Sequence, residues 1–239
     1  MMRINQFIAS AGVTSRRKAD ELIQQGRVKV NDKVLTTPGY RVKDDDKVVV
    51  DGKPIFVQGK KVYYLLNKPV GYVTSTYDKQ GRPTVMELIP DDIRVFPVGR
   101  LDFNTSGLLI LTNDGELSNK LMHPSHEFDK KYIVRAEGTV TSREAELLRK
   151  GIDIGGFVTS PAIVNLIRHE KNSTIAEIII HEGKNRQVRR MFESINHPVI
   201  ELCRIGLGNL TIGRLAIGQF RKLSPAEVTY LKRTVKMSE

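Results

Sequence analysis

Asp102 is the residue of this sequence whose type and setting could support nucleophilic chemistry. It ends the run Gly99-Arg100-Leu101-Asp102, and the apolar segment Leu108-Leu109-Ile110-Leu111 follows shortly after it. A carboxylate in a turn between two buried strands can be held rigidly, and a positioned, ionised carboxylate can act as a nucleophile. The residues directly after it, Asn104 to Gly107, are also those of an ordinary turn. This segment alone favours the simpler interpretation, a turn aspartate.

A basic segment later in the chain offers that carboxylate a counter-ion. The run Lys184-Asn185-Arg186-Gln187-Val188-Arg189-Arg190 begins a predicted helix whose buried stripe includes Val188 and Met191. Arg189 borders the stripe, and a half-buried guanidinium requires a partner because an unpaired buried charge is costly. Asp102 is a natural partner, and the pairing would lower the pKa of its carboxyl and keep it ionised. Taken alone, the segment is more simply interpreted as a solvated basic helix face.

Tyr132 is the third candidate, at the start of a predicted strand. The preceding residues are Lys130 and Lys131, so the strand begins with two cations and an aromatic ring. A tyrosine can stack on an extruded base while its hydroxyl remains available for a hydrogen bond. The alternative is a tyrosine that packs at the edge of a sheet.

The elements that would position these residues are those of an α+β domain over 62–239 with a large, mainly antiparallel sheet. Four well-separated helices interrupt many strands, which is the pattern of that class. The predicted strands are Val62–Leu66, Tyr72–Ser75, Phe96–Gly99, Gly107–Thr112, Tyr132–Ala136, Ala162–Ile167, Thr174–His181, Val199–Arg204 and Asn209–Ile212. The predicted helices are Gly115–Met122, Ser142–Lys150, Asn185–Ile195 and Pro225–Lys232, with capping boxes at Thr141/Glu144 and Ser224/Glu227.

A smaller domain is predicted over 1–58, with the polar stretch Gln58–Lys61 as the linker. Two short helices are expected first, the second capped by Thr14 or Ser15, and then a hairpin that turns at Asn31-Asp32. The cations Arg16, Arg17 and Lys18 occupy the first turn of the second helix, where the helix dipole disfavours them. That mismatch indicates either a phosphate-binding use or a solvated helix end.

The composition favours a polyanionic partner and gives no sign of a cofactor. The 239 residues include 38 Lys and Arg against 27 Asp and Glu, a formal net charge of +11. One cysteine, Cys203, excludes an internal disulfide framework and a multi-cysteine metal site. His123 and His126 form only a weak metal pair, and no glycine-rich nucleotide loop is present. We expect no cofactor, no membrane association and a cytoplasmic location.

Two sets of motifs resemble known families. Residues 3–50, with Ser15-Arg16-Arg17-Lys18 and Gly26-Arg27-Val28-Lys29, are similar to the small RNA-binding domain named after a small-subunit ribosomal protein. Gly-Arg-Leu-Asp, Lys-Lys-Tyr and Glu-Gly-Lys-Asn-Arg-Gln-Val-Arg-Arg-Met, in this order, resemble the ribosomal pseudouridine synthases of the RsuA/RluB/RluE/RluF group. Leu66-Asn67-Lys68-Pro69 extends that resemblance over nearly the whole chain.

The resemblance implies a role for each residue. Asp102 corresponds to the catalytic aspartate, Tyr132 to the ring that stacks on the target base, Arg189 to the ion-pair partner of the aspartate, and Arg100 to the arginine that fills the gap left by the flipped nucleotide. The further residues expected to bind RNA are Arg16, Arg17, Lys18, Arg27, Lys29, Lys131, Lys184, Arg186 and Arg190.

We therefore expect a monomeric enzyme that converts one uridine of 23S ribosomal RNA, near the peptidyl-transferase centre, to pseudouridine by base flipping. The segment Gly81-Arg82-Pro83-Thr84-Val85 is more similar to the large-subunit branch of the group. Three alternatives are an enzyme of the same chemistry that acts on 16S RNA, a non-catalytic ribosome-assembly factor and a DNA-binding regulator. The assembly factor leaves Asp102, Tyr132 and Arg189 without a role, and the regulator leaves the larger domain without one.

Overall fold

The computed structural model describes residues 1–57, 59–90, 93–123 and 128–237, and in it the chain divides into two units. The N-terminal unit comprises Met1–Val62 with the short segments 93–94 and Asn113–Gly115. The second unit comprises 63–90, Val95–Thr112 and 116–237. Gln58, the first residue of the predicted linker, lies outside the described residues.

Two helices and short strands form the N-terminal unit. Its elements are β1 (Met2–Arg3), α1 (Ile4–Ser10), α2 (Arg16–Gln24), β2 (Val28–Val30), β3 (Lys33–Leu35), β4 (Arg41–Val42), β5 (Val48–Val50) and β6 (Lys53–Ile55). β1 pairs with β4, and the other four strands form an antiparallel sheet in the order β3-β2-β5-β6. Both helices bury one apolar face against this sheet in a common core.

Local sequence accounts for the ends of these elements. The Ser15 hydroxyl accepts a hydrogen bond from the Lys18 amide at 3.3 Å, so the predicted cap of α2 is confirmed. Asn31 and Asp32 both have positive φ, at 50° and 65°. A two-residue hairpin turn requires that conformation at both positions, and asparagine and aspartate tolerate it better than other side chains do.

A mixed sheet dominates the second unit. Its strands are β7 (Tyr63–Lys68), β8 (Phe96–Val98), β9 (Ser106–Thr112), β10 (Lys130–Glu137), β11 (Ile163–Glu170), β12 (Ser173–Ile180), β13 (Val199–Leu207), β14 (Leu210–Thr211) and β15 (Phe220–Lys222). Its helices are α3 (Gly115–Met122), α4 (Ser142–Lys150), α5 (Gln187–Glu193) and α6 (Pro225–Thr234), with a 3₁₀ helix at Val85–Leu88. The strand order is β11-β12-β10-β13-β9-β7-β15, with β8 on β9 and β14 on β13.

Of the strand pairs in this sheet, β9 with β13 is parallel and the others are antiparallel, so the predicted α+β class is confirmed. This parallel pair brings distant segments together. Gly107 on β9 pairs with Arg204 on β13, and Tyr132 on β10 pairs with the same Arg204 from the other side. A Cβ at Gly107 would lie 2.2 Å from the Arg204 carbonyl oxygen, so only glycine allows this approach.

Both predicted capping boxes in this unit, at Thr141/Glu144 and Ser224/Glu227, are confirmed. The predicted strand Tyr72–Ser75 is wrong, because Val73 forms only an isolated bridge with Thr84. The Thr74 hydroxyl explains the difference, since it donates to the Leu101 carbonyl at 2.7 Å and accepts from the Leu101 amide at 3.3 Å. A side chain thus makes the contacts that a strand partner would have made.

No helix in the described part of the chain combines the length and the apolar character that crossing a membrane requires.

Candidate active site

Asp102 and Tyr132 line one cavity of about 620 Å³ in the second unit. The cavity lies between the turn that connects β8 to β9, the start of β10, and the loop that joins β12 to α5. The residues 99–105 of that first connection are called the aspartate turn below. Arg100, Lys184 and Arg186 line the same cavity, so the structure brings the predicted nucleophile, the predicted stacking ring and three of the predicted RNA-binding cations together.

The carboxylate of Asp102 is partly exposed and open to the cavity. Among the described residues it accepts no hydrogen bond and has no cation within 4 Å, although the backbone of its turn is tightly held. The Asp102 carbonyl accepts from the Thr105 amide at 3.0 Å. A fixed backbone with a side chain free of hydrogen bonds leaves the lone pairs of both oxygens available for reaction.

Lys68 is a buried cation beside the aspartate turn, and the sequence did not single it out. It is fully buried at the end of β7, and its ammonium donates to the carbonyls of Pro69, Asp102 and Thr105 at 2.9, 3.1 and 2.9 Å. Burial lowers the pKa of Lys68 to about 8, and the nearby charge of Asp102 opposes that shift. A lysine at the end of an otherwise apolar strand was the available signal, because a buried cation requires such partners.

Arg189 does not pair with Asp102, so the predicted ion pair is wrong. The guanidinium is 3% exposed and donates to the carbonyls of Asn104 at 2.7 Å and Val199 at 3.0 Å. Burial and the charge of Arg186 lower the pKa of Arg189, while Asp102 and Glu193 raise it. The planar guanidinium reaches two backbone segments at once through its two terminal nitrogens, while its buried Nε has no hydrogen-bond partner among the described residues. Arg189 therefore braces the aspartate turn two residues beyond Asp102.

Tyr132 and Arg204 form the floor of the cavity. Tyr132 is 8% exposed, and no described residue forms a hydrogen bond with its hydroxyl. Arg204 is 5% exposed and its Nε donates to the Leu108 carbonyl at 2.8 Å. Arg204 was also missed from the sequence. The period of two along β13, which places it on the same face as buried Leu202, was the signal.

Three predicted RNA-binding cations remain accessible at the rim. Arg100 is exposed and has no hydrogen bond or ion pair among the described residues. Lys184 is exposed with its Nζ 4.4 Å from the Phe157 ring centroid. Arg186 is exposed and lies 3.7 Å from a Glu193 oxygen. These side chains give the cavity mouth a positive charge that suits a phosphate backbone.

Two other predicted cations do not reach the cavity. Lys131 pairs with Glu177 at 3.4 Å on the other face of β10, whereas its neighbour Lys130 lines the cavity. Strand alternation requires this, because Tyr132 and Lys130 share one face and Lys131 lies on the other. Arg190 donates to the carbonyls of Ile154 and Gly155 and so fixes a loop. Lys131 and Arg190 therefore have structural partners outside the cavity, and their contact with RNA stays a prediction.

The predicted cations of the N-terminal unit fall into two groups. Arg16, Arg17, Lys18 and Lys29 are exposed, and in the described part of the chain none has an ion-pair partner. Arg27 instead forms a two-point ion pair with Asp51, at 2.6 and 2.7 Å. That hydrogen bonding raises the pKa of Arg27. Arg27 is therefore already engaged, and the other four are open to an external anion.

No group of three metal-binding side chains occurs within the ranges that the structure describes. His123 lines the cavity, while His126, its predicted companion, lies outside the described residues. Cys203 is partly buried on β13, between its neighbours β9 and β10.

Comparison with known proteins covers both units. The RNA pseudouridylate synthase family matches residues 62–194, and the S4 domain matches residues 2–48. Over 237 residues the chain is 45% identical to ribosomal large subunit pseudouridine synthase B of Bacillus subtilis, covering 97% of this chain and 96% of that protein. It is 44% identical over 237 residues to an uncharacterized RNA pseudouridine synthase of Aquifex aeolicus, covering 98% and 95%. A crystal structure of a pseudouridylate synthase matches with a TM-score of 0.70 and 28% identity, covering 97% of this chain and 100% of that chain.

Proposed function

This chain belongs to the RNA pseudouridylate synthase family, and from that premise we propose that it isomerises one uridine of 23S ribosomal RNA near the peptidyl-transferase centre, with Asp102 as nucleophile. The observation that carries this proposal is the shared cavity of Asp102 and Tyr132, with the Asp102 carboxylate open to it. The large-subunit target is supported by the 45% identity to a relative named as a large-subunit enzyme.

The reaction exchanges one bond for another within a single nucleotide. The bond from uracil N1 to the anomeric carbon breaks, the base rotates while it is held, and C5 bonds to the anomeric carbon. C5 then loses its proton and N1 gains one, so atoms and electrons balance without a redox partner or a hydrolysis step. The residues at the cavity therefore need no cofactor for this chemistry.

Asp102 can serve this reaction by attacking the anomeric carbon, by attacking the uracil ring or by assisting elimination to a glycal. All three routes require an ionised carboxylate in a fixed position. The hydrogen bonds of Lys68 and Arg189 to the aspartate turn supply that position. The cavity of about 620 Å³ lies within the usual range for a small-ligand pocket and can admit a single nucleotide.

The target uridine must leave its stack to enter the cavity. Tyr132 offers a ring at the cavity floor for the extruded base, and Arg100 is exposed without a partner among the described residues and can enter the gap. The exposed cations of the N-terminal unit and of the cavity rim would bind phosphates. The proposed substrate also implies a cytoplasmic enzyme, which we expect to act as a monomer.

Pseudouridine mapping of ribosomal RNA tests the proposal. RNA from cells that lack the gene should lose one pseudouridine in 23S RNA, and the wild-type gene should restore it. Unchanged pseudouridine at every ribosomal site, or a loss in 16S RNA only, would contradict the proposed substrate.

The Asp102→Asn variant tests the nucleophile. Turnover should fall by roughly 10⁴-fold or more, as for removal of other catalytic nucleophiles, while the melting temperature and most RNA affinity are retained. Asp44→Asn, at an exposed aspartate of the N-terminal unit, is the matched control and should keep the turnover of wild type. Full turnover by Asp102→Asn would rule out the proposed mechanism.

A further inference from the structure

A second cavity of about 450 Å³ adjoins the active site. Arg100, Leu101 and Asp102 line both cavities, so the two lie next to each other at the aspartate turn. Tyr77, Arg82 and Phe103 line only the second one. These three side chains are called the aromatic shelf below, and the isomerisation of the target uridine does not use them.

The exposure of the two rings is the feature that requires a reason. Tyr77 is 72% exposed and Phe103 is 46% exposed, whereas Phe128 and Tyr132 in the first cavity are 4% and 8% exposed. Exposed hydrophobic side chains that are scattered singly need no explanation, but two exposed aromatic rings that line the same cavity indicate a contact surface.

Arg82 is fixed in place over one of these rings. Its Nη2 and Nε donate to the two carboxylate oxygens of Asp78 at 2.7 and 3.1 Å, and its guanidinium carbon lies 6.0 Å from the Phe103 ring centroid. Asp78 also accepts from the amides of Gln80 and Arg82, both at 3.1 Å. The cation is therefore oriented in advance, although almost half of its side chain is exposed.

One residue of the shelf, Phe103, belongs to the aspartate turn, whose backbone is held by hydrogen bonds on both sides of Asp102. The Gly71 amide donates to the Phe103 carbonyl at 2.8 Å, and Thr74 holds Leu101 through its hydroxyl. Phe103 is the residue directly after Asp102. A base that stacks on the Phe103 ring would therefore lie next to the residue that carries the carboxylate.

We propose that the aromatic shelf binds the unpaired base of a nucleotide adjacent to the target uridine. Flat rings stack on any base face, and the plane of a neighbouring guanidinium can stack on a base in the same way. An RNA strand is the favoured occupant because Arg100, Leu101 and Asp102 line both cavities, so a nucleotide next to a uridine that reaches Asp102 lies within reach of the second cavity. The inference rests on the proposed function, and it adds a substrate class: a uridine in a loop, bulge or single strand with an unpaired neighbour.

A cycle of protein and RNA changes tests the shelf. The probe is an RNA of about 30 nucleotides that spans the uridine identified by mapping, made intact or with an abasic residue on the 5′ or the 3′ side of that uridine. Phe103→Leu and Tyr77→Leu keep apolar side chains but remove the rings. With intact RNA each variant should raise KM by roughly 10-fold to 100-fold, the range for loss of one stacked base.

The abasic RNA decides whether that loss comes from stacking. One of the two abasic RNAs lacks the base that the shelf binds. On that RNA, wild type should show the same raised KM, and Phe103→Leu and Tyr77→Leu should raise KM no further. Ile167→Ala, at an exposed residue of β11, is the control and should leave KM unchanged on every RNA. Equal losses by the variants on intact and on both abasic RNAs would overturn the proposal. Mapping tests the proposed function, and this cycle tests the shelf on whichever RNA the mapping identifies, so the two failures are distinguishable.

Discussion

The aspartate turn and the first turn of α2 carry charge in opposite ways. Around Asp102, the buried cations Lys68 and Arg189 donate their hydrogen bonds to backbone carbonyls, and the carboxylate of Asp102 accepts none from any described residue. At the start of α2, Arg16, Arg17 and Lys18 are exposed, and no described residue forms an ion pair with them. In these two regions, the buried cations fix the backbone geometry, and the exposed cations are open to an external anion.

Lys68→Met should have the largest effect, because it removes a buried cation that holds the aspartate turn. Methionine preserves the length of the side chain but removes three donors, so the carbonyls of Pro69, Asp102 and Thr105 lose a partner. The free energy of unfolding should fall by about 3 kcal/mol, and kcat should fall by about 100-fold through displacement of Asp102. Urea unfolding and tritium release from uridine-labelled RNA measure the two effects. A variant with normal kcat would show that Lys68 does not position the turn.

The same residue predicts a pH dependence with a defined sign. Its pKa is about 8 in the folded chain against a usual 10.5, so between these values the unfolded chain binds a proton that the folded chain has released. The free energy of unfolding of wild type should therefore rise with pH in that window relative to Lys68→Met, by at most about 1.4 kcal/mol per pH unit. Below pH 8 the lysine is protonated in both states, so the free-energy cost of burying its charge lowers the free energy of unfolding by its full amount. Parallel pH profiles of the two proteins would contradict this account.

Arg189→Lys tests whether the charge of this residue or its hydrogen bonding to two carbonyls holds the aspartate turn, and its effect should be smaller. Lysine keeps the charge near Asp102 but cannot bridge Asn104 and Val199 with one planar group. We expect kcat to fall by about 10-fold with little change in KM, because the substrate contacts are intact and only the turn is loosened. If charge alone mattered, as in the ion pair predicted from the sequence, the lysine variant would keep its kcat.

Changes at α2 should have the smallest effect per residue, and they should affect RNA affinity and not kcat. Replacing Arg16, Arg17 and Lys18 together by glutamine should weaken RNA binding and lower the dependence of log K on log salt by about 1 per lost phosphate contact. kcat at saturating RNA should not change. Arg27→Gln is the matched control, because Asp51 already occupies that guanidinium, and its salt dependence should stay near wild type. A loss of salt dependence per replaced cation that is as large for Arg27→Gln as for the triple variant would contradict the distinction between engaged and open cations.

Local features could be predicted from the sequence because neighbouring residues decide them. The bounds of α3 and α4, the serine cap of α2 and both capping boxes depend on residues within one or two turns. The short edge strand β15 was missed, since three residues give too little periodicity and only its pairing with β7 defines it.

The family, the α+β class and the placement of Asp102 in a turn between two apolar strands could be predicted from the sequence alone. They depend on the order of the motifs and on the spacing of apolar residues, which do not require knowledge of long-range contacts. The tertiary structure decided what each buried cation binds. Lys68 and Asp102 are 34 residues apart, and Arg189 and Asn104 are 85 apart. Which oxygen such a cation reaches depends on the register of β7 with β9 for Lys68, on the register of β9 with β13 for Arg189, and on the length of the side chain, and long-range packing sets these registers.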